Sequence, residues 1–402
     1  MRAFQQSSRS RGLLDAAFMM SEFDDIRPYN DDEVPQVLDR LVRDRELLDS
    51  LIRFKLGGMG RRVAPLLRPL VRSRLLKQTS KIRTVADFQA SLEALLVESL
   101  DKSCAGLSVS GLDNLDSSQS YLFVSNHRDI AMDPALVNLT LYRNGFTTLR
   151  IAIGDNLLTK PFASDLMRLN KSFIVNRSAK APREKLKAAK LLSAYIHKSV
   201  LSDHENVWIA QREGRAKDGR DHTNPAVIGM LCLHRSKEQS LADYIRDARI
   251  VPVSISYEYD PCDMDKAREL YIKKTFGEYS KAEHEDVQSI ARGITGFKGR
   301  VHLAFCPVLN GAFDSSEDVS EQIDRDIISH YVLHPSNCIA YEMLNGKAPS
   351  VLVGAQNLPF DQFPWREERE FFAARLANVP KDHHQIFLQT YANPVVAKLG
   401  RN

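Results

Sequence analysis

At 402 residues, 43% of them hydrophobic and 26% charged, the chain is long enough to bury a sizeable core and too apolar to be disordered over most of its length. Its 19 glycines and 17 prolines are too few for a fibrous or low-complexity protein, and no uncharged apolar run approaches the roughly 18 to 20 residues that a spanning helix needs. Cys104, Cys232, Cys262, Cys306 and Cys338 are odd in number and lack CxxC spacing, which argues against a disulfide framework or a zinc cage and leaves them as small buried apolar residues.

Taken in chain order, the first residues carry arginines, then a brief apolar patch interrupted by Asp15, then acids. That is not the h-region of a secretory signal, so the expectation is a cytoplasmic protein without signal peptide or transmembrane helix. Over residues 32–56, Val34, Val37, Leu38, Leu41, Leu47, Leu48, Leu51 and Ile52 recur at helical spacing. The net charge is only +4, but between Asp49 and Asp87 there is no acid and there are ten Lys or Arg residues. Leucines and valines interleave with these cations over residues 53–83, which predicts an amphipathic helix broken at Pro65 and Pro69. An anionic membrane surface is the partner that best fits such a segment, each basic residue near it contributing about 1 kcal/mol. A solvated basic helix packed on the next domain is the alternative, and nucleic acid ranks last because no aromatic platform is interleaved. A further amphipathic helix is predicted over 85–100, so residues 1–88 read as a helical region.

From Gly111 onward short apolar runs alternate with helical stretches. Strands are predicted at 121–124, 150–153, 172–175, 207–210, 250–255 and 301–305, with helices at 134–142, 160–169, 182–197 and 224–233. This is an α/β pattern, a sheet with helices on its faces, spanning 89–310. Residues 311–402 read as mainly helical, with a Gly- and Pro-containing connection at 345–361 and a helix at 365–376.

The window YLFVSNHRDIAMDP, residues 121–134, carries the most chemistry. A strand ends in Ser125, Asn126 and His127, and a helix enters near Asp133 and Pro134, so His127 stands at the carboxyl edge of a strand, where α/β proteins place ligands. An imidazole there suits a general base, and either Asp129 or Asp133 can hold its second nitrogen and stabilise the imidazolium. Read alone, the same residues make a satisfied strand end and a helix cap. His127, Arg128 and Asp129 spell HRD, but Pro134 stands where a kinase catalytic loop needs Asn, and no Gly-rich phosphate loop or DFG occurs. Further along, Arg212, Arg215, Lys217 and Arg220 concentrate cationic donors around Gly214 and Gly219, a plausible phosphate clamp. His383 and His384 are consecutive and lack a second ligand pair, so no metal site is predicted. Ser254 and Ser256 lie in a strand without a GxSxG elbow.

Four windows in order resemble the glycerophosphate acyltransferase family, which includes lysophosphatidic acid and glycerol-3-phosphate acyltransferases. Asn126, His127 and Asp133 resemble the NHxxxxD motif with the Asp one residue late, requiring a one-residue bulge. Residues 154–157, GDNL, followed by 173–178, FIVNRS, resemble the second motif with Arg177. Glu213, Gly214 and Arg215 resemble EGxR with one residue missing, and residues 250–257, IVPVSISY, resemble the fourth. The resemblance covers about 121–257 and implies a mixed sheet flanked by helices. It also implies transfer of a fatty acyl chain from acyl-CoA or acyl carrier protein to a hydroxyl of lysophosphatidic acid or glycerol 3-phosphate, without cofactor or metal. His127 would be the general base, held by Asp133 or Asp129, with Asn126, Arg177, Glu213, Gly214, Arg215 and Lys217 as substrate-binding residues. The protein would sit peripherally on the inner face of a membrane. An acyltransferase for a non-phosphate lipid and a non-catalytic membrane-binding protein of this fold are the alternatives.

Overall fold

The computed structural model describes residues 22–57, 60–282 and 285–400. They fall into two compact units, one from within Met1–Leu95 and Arg150–Tyr195, the other from within Leu96–Leu149 and Ile196–Asn402. Seven strands carry the main β-structure: β1 (Cys104–Ser110), β2 (Leu122–Ser125), β3 (Leu149–Gly154), β4 (Ser172–Val175), β5 (Asn206–Ala210), β6 (Ile250–Tyr257) and β7 (Gly299–Phe305). Six of them overlap the six predicted strands.

In the first unit, the single helix predicted at 32–56 is two, Val34–Arg43 and Arg45–Leu56. Asp44 between them is extended, and its carboxylate accepts the Leu47 amide at 2.8 Å. An aspartate that caps the second helix therefore outweighs a hydrophobic period that runs through it. Val34, Val37, Leu38 and Leu41 pack with Ile82, Phe88 and Leu169 into one core, which joins the N-terminal helices to helix Pro161–Leu169 and so sets the unit's composition. β3 and β4 run parallel within the same unit, with Ile151 opposite Ser172.

Helix Gly60–Thr79 is continuous through Pro65 and Pro69, where the sequence predicts a break. Both prolines are exposed and one turn apart, so the helix forgoes two of its hydrogen bonds on a face that meets solvent. On its other side Gly60 sits against the backbone of Arg53, where a β-carbon would come within 2.9 Å of the Arg53 Cα. Arg68 meets the Asp49 carboxylate with two bonds of 2.7 Å, so one of the ten cations is already paired.

In the second unit the strand order is β1-β7-β6-β2-β5. β2 is parallel to both β5 and β6, β1 is parallel to β7, and β6 is antiparallel to β7, which makes the sheet mixed. All residues of β2 and β6 are buried, as expected of strands covered by helices on both faces. β1 escapes prediction because CAGLSVS has few β-branched or aromatic residues. Its serines earn their place through His302 on β7: Ser108 Oγ lies 2.8 Å from Nδ1 and Ser110 Oγ 2.9 Å from Nε2.

Beyond β7 the chain is helical, with Ser316–His330, Pro335–Asn345, Arg366–Ala377 and His384–Leu399 as its main elements and a small antiparallel pair, β8 (Leu352–Val353) and β9 (Leu358–Pro359). Phe372, Phe387 and Tyr391 are buried together in this region, their ring centroids 5.2 to 6.0 Å apart. Among the described residues no helix is long and apolar enough to cross a membrane.

Candidate active site

β2 lies between β5 and β6, and the chain leaves its carboxyl end as a loop before helix Met132–Arg143. Asn126, fully buried at the start of this loop, extends the ladder with its side chain: Oδ1 accepts the Ile255 amide at 2.8 Å, and Nδ2 donates to the Ile255 carbonyl at 3.0 Å and to Asp221 at 3.1 Å. Its polar groups are thus turned to protein, and its position is that of a support rather than the substrate contact expected of it.

The next residue is turned differently. His127 Nδ1 lies 2.9 Å from Asp133 Oδ2, and the side chain keeps 14% of its surface exposed. Its ring meets Trp208 edge-on, with centroids 5.8 Å apart, and Nε2 makes no hydrogen bond among the described residues. Asp133 is wholly buried in the first turn of its helix. The oxygen facing His127 also accepts the amides of Arg128 at 2.6 Å and Asp129 at 2.9 Å, while Oδ1 accepts the Tyr257 hydroxyl at 2.8 Å. The extra residue between His127 and Asp133 is taken up by a loop that folds around this carboxylate, and the helix begins only at Met132. Asp129 has another task. Its Oδ1 accepts the amides of Ala131 at 3.0 Å and Met132 at 2.8 Å, so it caps the helix and forms no bond to the imidazole. Burial and the neighbouring Asp133 charge push its carboxyl above the ordinary range, and burial pushes the Tyr257 hydroxyl well above 10.

The cationic loop follows β5 and returns to the same place. The Gln211 amide donates to Ser125 O at 2.8 Å and the Ala216 amide to His127 O at 2.8 Å, so Arg215 is tied to the histidine's own backbone. Arg215 Nη1 is buried and without a hydrogen-bond partner among the described residues. Such a group calls for a ligand or an ordered water. Lys217 is committed instead to the buried Glu269 carboxylate in an ion pair, so it does not stand free for substrate as expected. Glu213 and Gly214 are exposed, with Gly214 at φ +75° and open space where a β-carbon would be. Gly219, at φ +77°, is required for a different reason from ligand approach: a β-carbon there would lie 2.0 Å from the Thr390 carbonyl.

Residues 106–256, which hold this loop pair, match the model of the family described as Acyltransferase. That segment is an acyltransferase-family domain. Among solved structures the chain is similar to the 1-acyl-sn-glycerophosphate (LPA) acyltransferase PlsC of Thermotoga maritima, at 16% identity and a TM-score of 0.36, over 71% of this chain and 95% of that one. No curated protein matches.

Within the acyltransferase domain, Arg177 belongs to the first unit. There the Arg177 and Ser178 amides each donate to Asp155 at 3.1 Å, and Asp155, Asn156, Arg177 and Ser178 line a shallow cleft at the ends of β3 and β4. Three residues of the second unit's site go beyond the sequence reading. Tyr257 steadies Asp133; the sequence places it at the end of the fourth motif window, 250–257, but assigns it no role. Asp221 binds both Asn126 and the buried Arg128, the latter at 2.6 Å, and no local pattern marks it. Trp208 forms a wall of the histidine, a role no spacing reveals. At the other end of the chain, His384 Nε2 bonds the Val379 carbonyl at 2.9 Å and His383 packs on Tyr271, so the two rings serve different neighbours.

Proposed function

We propose that this protein transfers a fatty acyl group from an acyl thioester, on coenzyme A or acyl carrier protein, to a hydroxyl of a glycerol-phosphate acceptor such as lysophosphatidic acid or glycerol 3-phosphate. The observation that carries the reading is His127, held through Nδ1 by a buried aspartate with Nε2 unengaged, in a loop bonded to that of Arg215. Nε2 takes the acceptor hydroxyl proton while the oxygen attacks the thioester carbonyl. The carbon–sulfur bond breaks, the thiolate leaves and recovers the proton from the imidazolium, and an ester remains. Asp133 stabilises the imidazolium by its charge; the two loop amides and Tyr257 keep that carboxylate in place. Arg215 supplies a charged donor for the acceptor phosphate.

A lipid product requires access to a membrane, and the proposed contact is the helix Gly60–Thr79. It exposes Leu66 by 81% and Leu70 by 67%, one turn apart, alongside exposed Arg62, Arg72 and Arg74. Apolar residues flanked by cations suit an anionic headgroup layer. The test of the function is release of free thiol from acyl-CoA and acyl carrier protein against glycerol 3-phosphate, lysophosphatidic acid and unphosphorylated lysolipids. Release that depends on a phosphorylated acceptor supports the reading. Equal release with unphosphorylated lysolipids overturns the acceptor class, and none with any acceptor overturns the activity.

A further inference from the structure

The helix His384–Leu399 lies outside the acyltransferase match, yet it touches the cationic loop directly. Asn393 Nδ2 donates to the Asp218 carbonyl at 2.7 Å, and Thr390 Oγ1 lies 3.3 Å from the Lys217 carbonyl. Gly219 packs so tightly on Thr390 that no side chain fits between them. The same helix also leads to the histidine loop. Tyr391 donates to Asp263 at 2.6 Å and accepts the Asp260 amide at 3.1 Å. The Asp260 carboxylate pairs with the buried Lys266, whose Nζ donates to the carbonyl of Arg128, the residue after His127, at 2.7 Å.

These contacts have a physical purpose. Arg212, Arg215, Lys217 and Arg220 carry like charges within nine residues, and two positive-φ glycines make the backbone between them permissive. Such a loop spreads unless something fixes its main chain, and spreading would cost entropy each time an anion is bound. The helix fixes it by holding the Lys217 and Asp218 carbonyls, contacts that do not engage the arginine side chains.

We propose that the C-terminal helix is the mount of the anion-binding loop and that Asn393 is a positioning residue for acceptor binding. The statement about acceptor rests on the acyltransferase function; the statement about the loop does not. Asn393 is only half-buried, so its replacement opens no core cavity. Asn393→Asp keeps the shape and turns a carboxylate oxygen toward the Asp218 carbonyl.

The full chain and this variant are compared by hydrogen exchange of residues 212–220, with 126–133 as internal reference, and by steady-state kinetics on both substrates. Loss of one such bond is expected to speed loop exchange and to raise the acceptor KM by about fivefold each, with kcat and the donor KM within about twofold. The melting temperature stays within about 2 °C. Unchanged loop exchange overturns the proposal, as does a joint fall in kcat with both KM values rising together. If Asn393→Asp fails to fold, Asn393→Ala carries the same readings. If the wild-type protein turns over no acceptor, the function fails and loop exchange alone decides the positioning role.

Discussion

The amide of Ala216 donates to the carbonyl of His127 at 2.8 Å, although 89 residues separate them in the chain. Through this bond the imidazole and the Arg215 loop share one backbone reference, so under the proposed function a hydroxyl brought to His127 by one end of an acceptor would have its anionic end measured from the same point. Orientation of this kind is a large part of what a site that positions two reactants contributes.

His127→Ala is expected to lower kcat by about 100- to 10,000-fold, the usual contribution of a general base. Circular dichroism and the melting temperature should match wild type, since the ring is partly exposed and its removal strands only one of the four bonds to Asp133. Turnover within a few-fold of wild type in a folded variant would remove the histidine from the mechanism.

Asp133→Asn and Asp129→Asn separate the two carboxylates. Asn at 133 retains an oxygen for the His127 side but loses the charge that stabilises the imidazolium, so a fall in kcat of about 100-fold or more is expected. At 129 an amide oxygen still caps the Ala131 and Met132 amides, and activity should stay within a few-fold. The opposite ranking, read from initial rates, would hand the partner role to Asp129.

Arg215→Ala and Lys217→Ala should also part company. Under the proposed function Arg215→Ala removes a charge-assisted contact with the acceptor phosphate, worth about 1.5 to 3 kcal/mol, and the acceptor KM should rise with little change for the thioester. Lys217→Ala strips the buried Glu269 of one of its two cations, the other being Lys273 at 2.7 Å, so its mark is a lower melting temperature. An Arg215 effect confined to the acyl donor would place the guanidinium against coenzyme A phosphates instead.

Membrane attachment is tested by sedimentation with vesicles. The wild-type chain should bind anionic vesicles, bind neutral ones weakly and be released by salt, because the Debye length shortens to about 3 Å at 1 M. Arg62, Arg72 and Arg74 changed together to Gln, with Arg68 kept for Asp49, should mimic high salt, and Leu66→Ser should weaken binding at all salt concentrations. Unchanged sedimentation of both variants would assign the helix to another contact.

Stability should fall on the acid side for a reason inside the second unit. Burial holds the imidazoles of His302 and His334 down at about 4, against an ordinary 6.5. The unfolded chain therefore binds more protons than the folded one between these values, so stability is full above pH 6.5 and is lost as pH falls toward 4. Urea midpoints across that range should show the loss, and His334→Gln should flatten the slope; an unchanged slope would show that other groups set it.

The sequence by itself determined the α/β alternation, because apolar runs bounded by turn residues leave few other ways to be buried. It also determined the strand-end address of His127 and the gathering of cations after β5, since both depend on neighbours in the chain. Tertiary structure decided between Asp129 and Asp133, which spacing alone left open: a loop that closes on Asp133 with two amides uses up Asp129 as the helix cap. It also turned Asn126 inward, paired Lys217 with Glu269, carried helix Gly60–Thr79 through two prolines and brought Tyr257, Asp221 and the C-terminal helix to the loops. Each of those outcomes depends on a partner more than ten residues away or on which side of a helix meets water, and local sequence encodes neither.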